Sequence, residues 1–313
     1  MSKAKLTFLG TGTSQGVPII GCGCEVCSSS DARDKRLRSS ALVDIGGLRI
    51  LIDAGPDFRM QMLREKVRHL DAILLTHNHM DHTGGLDDVR SFNYIDKKPA
   101  RIFCESKVLD SLKTFYGYAF AENKYPGAPE WRVNIIDNEP FLVFPNNTGE
   151  IVWVHDQGYC TKMPDGSMIP CGSDIVRNAV RPSDPLAPLS DNDGYSSDRS
   201  KAVTVIPIRG YHDKMPVLGF RFGDIAYLTD MSRIPDEELA KLKGLKHLTL
   251  NTVSYHPHHS HFSLSEAVEM AGKIGAEHTW LTHLSHTFPR YEEFCKTLPE
   301  NVKPAYDGLV IED

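Results

Sequence analysis

Thr76-His77-Asn78-His79-Met80-Asp81-His82-Thr83-Gly84-Gly85 places three imidazoles and a carboxylate within six residues, directly after the apolar run Ala72-Ile-Leu-Leu75. A buried strand that ends this way delivers four metal-capable side chains to one rim. The set suits two half-sites sharing a water better than one closed tetrahedral ion. A loop of incidentally satisfied histidines would need a packing reason that this spacing lacks. The segment is therefore read as a metal-binding loop.

Working outward, further ligand types follow short apolar runs. Asp53 ends Leu48-Arg-Ile-Leu-Ile, Asp230 ends Ile225-Ala-Tyr-Leu-Thr, and His283 ends Trp280-Leu-Thr. With the His-x-His-x-Asp-His loop, this pattern resembles the metallo-β-lactamase-fold hydrolases. The resemblance implies a dinuclear centre assembled from several strand ends. It gives Asp53 the task of orienting a ligating histidine or the attacking water, Asp230 that of bridging two ions, and His283 that of a last ligand. One ligand remains open among His212, His155 and the cluster from His256 to His261. His212 fits best, because it lies between Val203-Thr-Val-Ile-Pro-Ile208 and the segment leading into Asp230.

The expected arrangement is one ion on His77, His79 and His212 and a second on Asp81, His82 and His283. Asp230 and a hydroxide bridge them. Two divalent ions lower the pKa of a shared water from 15.7 toward ~7 and neutralise an anionic substrate under attack.

Gly21-Cys22-Gly-Cys24-Glu-Val-Cys27 holds three of the seven cysteines. An odd count without a secretory segment points to reduced thiols, and clustered thiols to metal rather than disulfide. Three thiolates need a fourth ligand, for which His286 is the natural candidate. Leu9-Gly-Thr-Gly-Thr-Ser-Gln-Gly-Val-Pro18 followed by this cysteine loop, together with Thr282-His283-Leu-Ser-His286, narrows the resemblance. It is to the branch containing the phosphoribosyl 1,2-cyclic phosphate phosphodiesterase of the carbon–phosphorus lyase pathway. That branch implies a Cys3His structural zinc on Cys22, Cys24, Cys27 and His286. It also implies Mn2+ or Zn2+ at the catalytic pair, and a histidine acting on the leaving group in a Ser-His-Phe setting, here His261. The resemblance spans roughly residues 5–125 and 202–312.

His261 also stands on its own, just before Ser263-Leu-Ser-Glu266, a capping-box pattern that opens a helix. An imidazole at such a rim has the pKa to pass a proton near neutrality. His256, His258 and His259 read as solvated loop residues.

Lys and Arg total 35 against 41 Asp and Glu, a net charge of −6, which offers nucleic acid no general attraction. No run of 18 apolar residues is present. The expectation is a soluble, cytoplasmic enzyme with a small phosphodiester as substrate and no nucleic-acid or membrane partner, with a homodimer allowed.

Strand and helix signals alternate in both halves, which predicts a four-layer αββα sandwich forming a single domain over 1–313. Predicted helices include one opened by Pro56 with Phe58, Met62 and Leu63 on one face, and others over 86–92, 235–243 and 264–274. Residues 156–200 break the pattern. They are rich in Gly, Pro, Ser and Asp, and read as a loop insertion able to lie over the cleft. Cys160 and Cys171 within it read as two unrelated thiols.

The leading functional expectation is a metal-dependent phosphodiesterase: hydroxide attacks phosphorus while His261 protonates the leaving alkoxide. Alternatives are ribonuclease Z-like tRNA 3′-end processing, thiolester or lactone hydrolysis, and a non-catalytic metal-binding protein. Against the last stands a full set of ligands.

Overall fold

The computed structural model describes residues 3–96, 98–145, 150–154, 158–162, 166–170, 177–179, 181–183 and 199–313. The strands are β1 (Ala4–Gly10), β2 (Ser40–Ile45), β3 (Leu48–Ile52), β4 (Ala72–Leu74), β5 (Ala100–Cys104), β6 (Trp131–Ile135), β7 (Phe141–Val143), β8 (Glu150–Val154), β9 (Gly158–Lys162), β10 (Met168–Pro170), β11 (Arg177–Asn178), β12 (Val203–His212), β13 (Met215–Phe222), β14 (Ile225–Tyr227), β15 (His247–Asn251), β16 (His278–Thr282), β17 (Val302–Pro304) and β18 (Val310–Glu312). The helices are α1 (Phe58–Arg64), α2 (Met80–Thr83), α3 (Arg90–Asp96), α4 (Ser106–Phe115), α5 (Leu264–Ile274) and α6 (Tyr291–Lys296).

One sheet runs β11-β6-β5-β4-β3-β2-β1-β18 and the other β17-β16-β15-β14-β13-β12-β7. Three apolar layers account for their stacking. Phe8, Ile50, Leu74 and Phe103 of the first sheet meet Phe220, Phe222 and Tyr227 of the second. The outer face of the first sheet takes Phe58, Met62, Phe92 and Leu112 from its helices. That of the second takes Ala267, Ala271 and Phe294. Helix, sheet, sheet and helix thus alternate, as the sequence predicts, and each fully buried Leu or Phe contributes roughly 1.5–3 kcal/mol.

Strands β3 to β6 run parallel to one another, as do β14 to β16. Strand β12 is antiparallel to β13, and β13 to β14, so β12 runs with the second parallel set. Their carboxyl ends bring every loop of the site to one rim.

Several expectations need correction. Helix α1 begins at Phe58 rather than Pro56, and Leu63 is 58% exposed, so the buried face is Phe58, Gln61 and Met62. The helix expected over 86–92 is a 3₁₀ turn at Leu86–Val89 running into α3, and 236–242 is also 3₁₀. Residues 156–200 are not loop throughout: β9 pairs with β8 on one side and β10 on the other as a small antiparallel sheet, and β11 adds to the edge of the first large sheet beside β6. Gly and Pro punctuation hid these short strands. Strand β7, from the first half of the chain, joins the second sheet through β12. His155 and Cys171 lie outside the described residues.

Candidate metal centre

Asp53, Asp230 and His283 each leave a strand with φ near +60° (62, 57 and 58°). Left-handed backbone costs a non-glycine residue on the order of 1–3 kcal/mol and persists where the surroundings enforce it. Here it turns three polar side chains into one cavity. Backbone approach is close as well: a Cβ at Gly55 would collide with the carbonyl oxygen of Asp81, so glycine is needed to seat the His-x-Asp-His turn.

Hydrogen bonding assigns the tautomers. Thr76 Oγ1 donates to Asp53 Oδ2 (2.8 Å), so at 2.9 Å from His77 Nδ1 it must accept, and His77 carries its proton on Nδ1. His82 Nδ1 donates to the same Asp53 oxygen at 2.7 Å. Ser39 Oγ donates to the Gly12 carbonyl (3.0 Å), so His283 Nδ1 faces two acceptors at 3.1 Å, Ser39 Oγ and Asp230 Oδ1, and carries a proton. All three rings therefore present Nε2 as a lone pair, and Nε2 of His77 and of His82 are buried without a hydrogen-bond partner.

These lone pairs face carboxylates. His82 Nε2 lies 3.3 Å from both Asp81 Oδ2 and Asp230 Oδ2, and His77 Nε2 lies 3.9 Å from Asp230 Oδ2. Acceptor opposite acceptor is repulsive unless a cation lies between. In the ion-free chain a proton fills that place. Burial opposes charge on His82, but Asp230, Asp81 and Asp53 outweigh it and hold its pKa well above the usual range. Burial, together with the neighbouring imidazoles, holds His77, His212 and His283 below theirs. The residues thus fit metal cations.

Asp81, His82, Asp230 and His283 converge with ligand atoms within 4.8 Å of one another. The rings of His77, His79 and His212 adjoin them, with centroids 4.6 Å (77–79), 5.0 Å (79–212) and 5.8 Å (77–212) apart. The seven candidate ligands are therefore brought together around one cavity, where His77 also adjoins His82 with ring centroids 4.2 Å apart.

His261 also enters this cavity. Its ring lies 4.5 Å from His212 and stacks on His283 at 4.8 Å, and its Nδ1 is buried without a partner. Burial, then His283, push its pKa down to about 2. His212, Asp230 and His261 form a further ligand-like group, so His261 stands as near a cation position as a substrate position. The expected capping box is formed: Ser263 N–H donates to Glu266 Oε2 (2.8 Å) and Glu266 N–H to Ser263 Oγ (3.4 Å). With Phe262 N–H bonded to Met231 O, it anchors the turn carrying His261 next to the loop carrying Asp230. His256, His258 and His259 are exposed.

The three cysteines of the amino-terminal loop and His286 come together. His286 Nδ1 lies 3.3, 3.4 and 3.6 Å from the sulfurs of Cys22, Cys24 and Cys27. A donation from the Cys27 backbone N–H and the contact with His286 lower the pKa of the Cys24 thiol to about 6, while burial raises that of Cys27 to about 11, so only the first is poised as a thiolate without a cation.

Ser39, Thr76, Thr229 and Asn251 went unread in the sequence. Thr229 Oγ1 donates to Asp230 Oδ1 (2.7 Å), and Asn251 clamps the backbone of Met231 through both amide atoms. Thr76, adjacent to His77, and Thr229, adjacent to Asp230, carried a local signal; Ser39 and Asn251 did not.

The family model of the beta-lactamase superfamily domain matches residues 48–158 and 171–284. The chain belongs to that family and has the metallo-β-lactamase fold of its hydrolases. Among solved structures, a new diphosphatase from the PhnP family is 33% identical with a TM-score of 0.74, covering 100% of this chain and 98% of that one. Zn(2+)-bound PqqB from Methylobacterium extorquens (17% identical, TM-score 0.60, 98% and 99% covered) and the short form of human tRNase Z (18%, 0.57, 98% and 98%) share the fold.

By sequence, an octanoyltransferase of Porphyromonas gingivalis is 36% identical over 304 residues, 96% of this chain and 50% of that protein. The coenzyme PQQ synthesis protein B of Methylorubrum extorquens is 37% identical over 121 residues, 34% of this chain and 39% of that one. The chain spans half or less of the length of these two curated relatives. Among the described residues no helix is long and apolar enough to cross a membrane.

Proposed function

We propose that this chain is a metal-dependent phosphodiesterase acting on a small phosphodiester, cyclic phosphates included. The observation that carries the reading is the set of buried Nε2 lone pairs of His77 and His82 facing the carboxylates of Asp81 and Asp230. His77, His79 and His212 would hold one divalent ion, Asp81, His82 and His283 a second, and Asp230 would touch both. Such a pair, Mn2+ or Zn2+, supplies charge neutralisation for the phosphate and a water of lowered pKa. The likeness to a PhnP-family diphosphatase over the full chain supports phosphorus as the centre attacked.

Within the site, Asp53 fixes His82 directly and His77 through Thr76, so the ligand geometry is set before substrate arrives. Hydrolysis breaks the bond from phosphorus to the leaving oxygen while water supplies the new one. The departing oxygen needs a proton, and the His261 imidazole at the wall of the cavity would give it once the bound anionic substrate offsets the burial that otherwise keeps the ring neutral. The closed Cys22, Cys24, Cys27 and His286 group would hold a zinc that ties the amino-terminal loop to the strand end bearing His283.

The octanoyltransferase relative keeps acyl chemistry as a second reading, since a metal pair can also polarise a carbonyl. The test is hydrolysis of bis(p-nitrophenyl) phosphate, p-nitrophenyl phosphate and an octanoyl thiolester by protein with counted metals. Diester cleavage with about three ions per chain is expected. Thiolester cleavage alone would transfer the function to acyl hydrolysis.

A further inference from the structure

The two large sheets are cross-linked near the rim, on either side of one position in the β12–β13 ladder. Arg209 of β12 lies opposite Leu218 of β13, and each reaches across to the first sheet. Leu218 N–H donates to the Thr76 carbonyl (3.0 Å), in the peptide bond that leads into His77. Arg209 makes a two-pronged pair with Glu105 (2.6 and 2.9 Å), the residue between β5 and α4. Strand β5 lies beside β4, and Leu75 N–H donates to the Phe103 carbonyl at 2.9 Å. Glu105 and His77 therefore leave neighbouring strand ends. His212 follows Arg209 by three residues on β12, about 10 Å along a strand.

His212 needs such a fixture more than the other ligands do. The rings of His77, His82 and His283 are each held at Nδ1 by a side chain, from Thr76, Asp53 and Ser39. Nδ1 of His212 is buried, and no side chain bonds to it. Its place is set by its backbone. Within the second half of the chain, Tyr211 N–H donates to the Arg233 carbonyl (2.9 Å) and Ser232 N–H to the Tyr211 carbonyl (2.8 Å), which ties β12 to the loop after Asp230. Across the cleft, the Arg209–Glu105 pair joins the strand of His212 to the strand beside that of His77 and His79.

The pair lines a cavity of about 590 Å³ with Ser106, Asn178 and Pro216, and its side chains keep 16% and 22% of their exposure. An ion pair that water can reach adds little to folding stability. A guanidinium fork on a carboxylate nevertheless fixes both distance and direction. Its geometry, more than its energy, is what the site gains.

We infer that Arg209 and Glu105 are positioning residues: their fork sets how far His212 stands from the strand end bearing His77 and His79, and so the shape of the ion site those three share. The inference rests on the ligand assignment proposed above and is independent of which ester is cleaved.

Competition with a chromophoric chelator for Mn2+ or Zn2+ reads the affinities of the two catalytic ions apart from the cysteine zinc. Glu105→Gln keeps the shape without the charge, and Arg209→Lys keeps the charge without the fork. Each should weaken one ion about tenfold or more and leave the other within about twofold. The melting temperature of the metal-free protein should stay within about 3 °C of wild type. Adding Glu105→Gln to His212→Ala should change nothing further, because the fork acts through His212. Added to His283→Ala, which lacks a ligand of the other ion, it should still cost the tenfold.

Unchanged affinities in both single variants would overturn the strut, as would equal weakening of both ions with a lower melting temperature. So would an undiminished effect of Glu105→Gln in the His212→Ala protein. If His212→Ala loses an ion while the fork variants are silent, the ligand assignment stands and only the strut fails. If His212→Ala holds both ions at wild-type affinity, His212 leaves the ligand set and the strut falls with it.

Discussion

At the scale of single residues, Asp53 and His261 divide the work differently. Asp53 accepts from the Thr76 backbone, the Thr76 hydroxyl and His82 Nδ1, so it sets two tautomers. Asp53→Asn keeps the shape but replaces one acceptor oxygen with a donor. Metal affinity should fall ~10–100-fold, measured by competition with a chromophoric chelator, and an unchanged affinity would refute the orienting role. His261→Ala separates the two positions open to that ring. A proton donor predicts full metal content, with turnover down ~10²–10⁴-fold on an alkyl leaving group and much less on p-nitrophenolate. Loss of an ion would make His261 a ligand instead. His77 and Asp230 were legible from their strand-end positions. Ser39, which meets His283 from 244 positions away, was not, because no local pattern marks a partner so distant.

At the scale of elements, the amino-terminal loop and the turn before α5 are held by different means. Gly12 pairs with Leu284 and Arg38 through isolated bridges, and the cysteine group adds the tie to His286. Cys24→Ser should release one zinc of about three and lower the melting temperature while leaving the catalytic pair loaded. Three metals retained on mass spectrometry would refute that site. Helix α5 was readable to its ends, because the Ser263–Glu266 box and the left-handed Gly275 cap are local chemistry. Strands β6 and β7 were missed: Trp131–Ile135 and Phe141–Val143 are too short for a period to show, and they are defined by burial under the rest of the fold.

At the scale of the whole molecule, three apolar layers carry the stability and the rim carries the chemistry. Chelation should therefore abolish hydrolysis while the far-UV circular dichroism keeps its folded shape, and Mn2+ or Zn2+ should restore activity. Collapse of that spectrum on chelation would show instead that the ions hold the sandwich together. Asp81, Asp230 and three histidines meeting in a buried cavity explain why bound cations should still raise the melting temperature: they replace a proton that His82 must otherwise hold among three carboxylates.

The chain by itself determined the layered αββα class, the strand ends that bear ligands and the cysteine loop. Each follows from local periodicity and ligand spacing, which a short window contains. Only the tertiary structure decided that His212 and His261 meet Asp230 in one cavity, how Asp53, Thr76 and Ser39 set the tautomers, and where the cavity beside Arg209 opens. Those depend on contacts between β3, β4, β5, β12 and β16, strands separated by more than two hundred residues in sequence at the extreme. Close packing of two sheets, not any local preference, brings them to one rim.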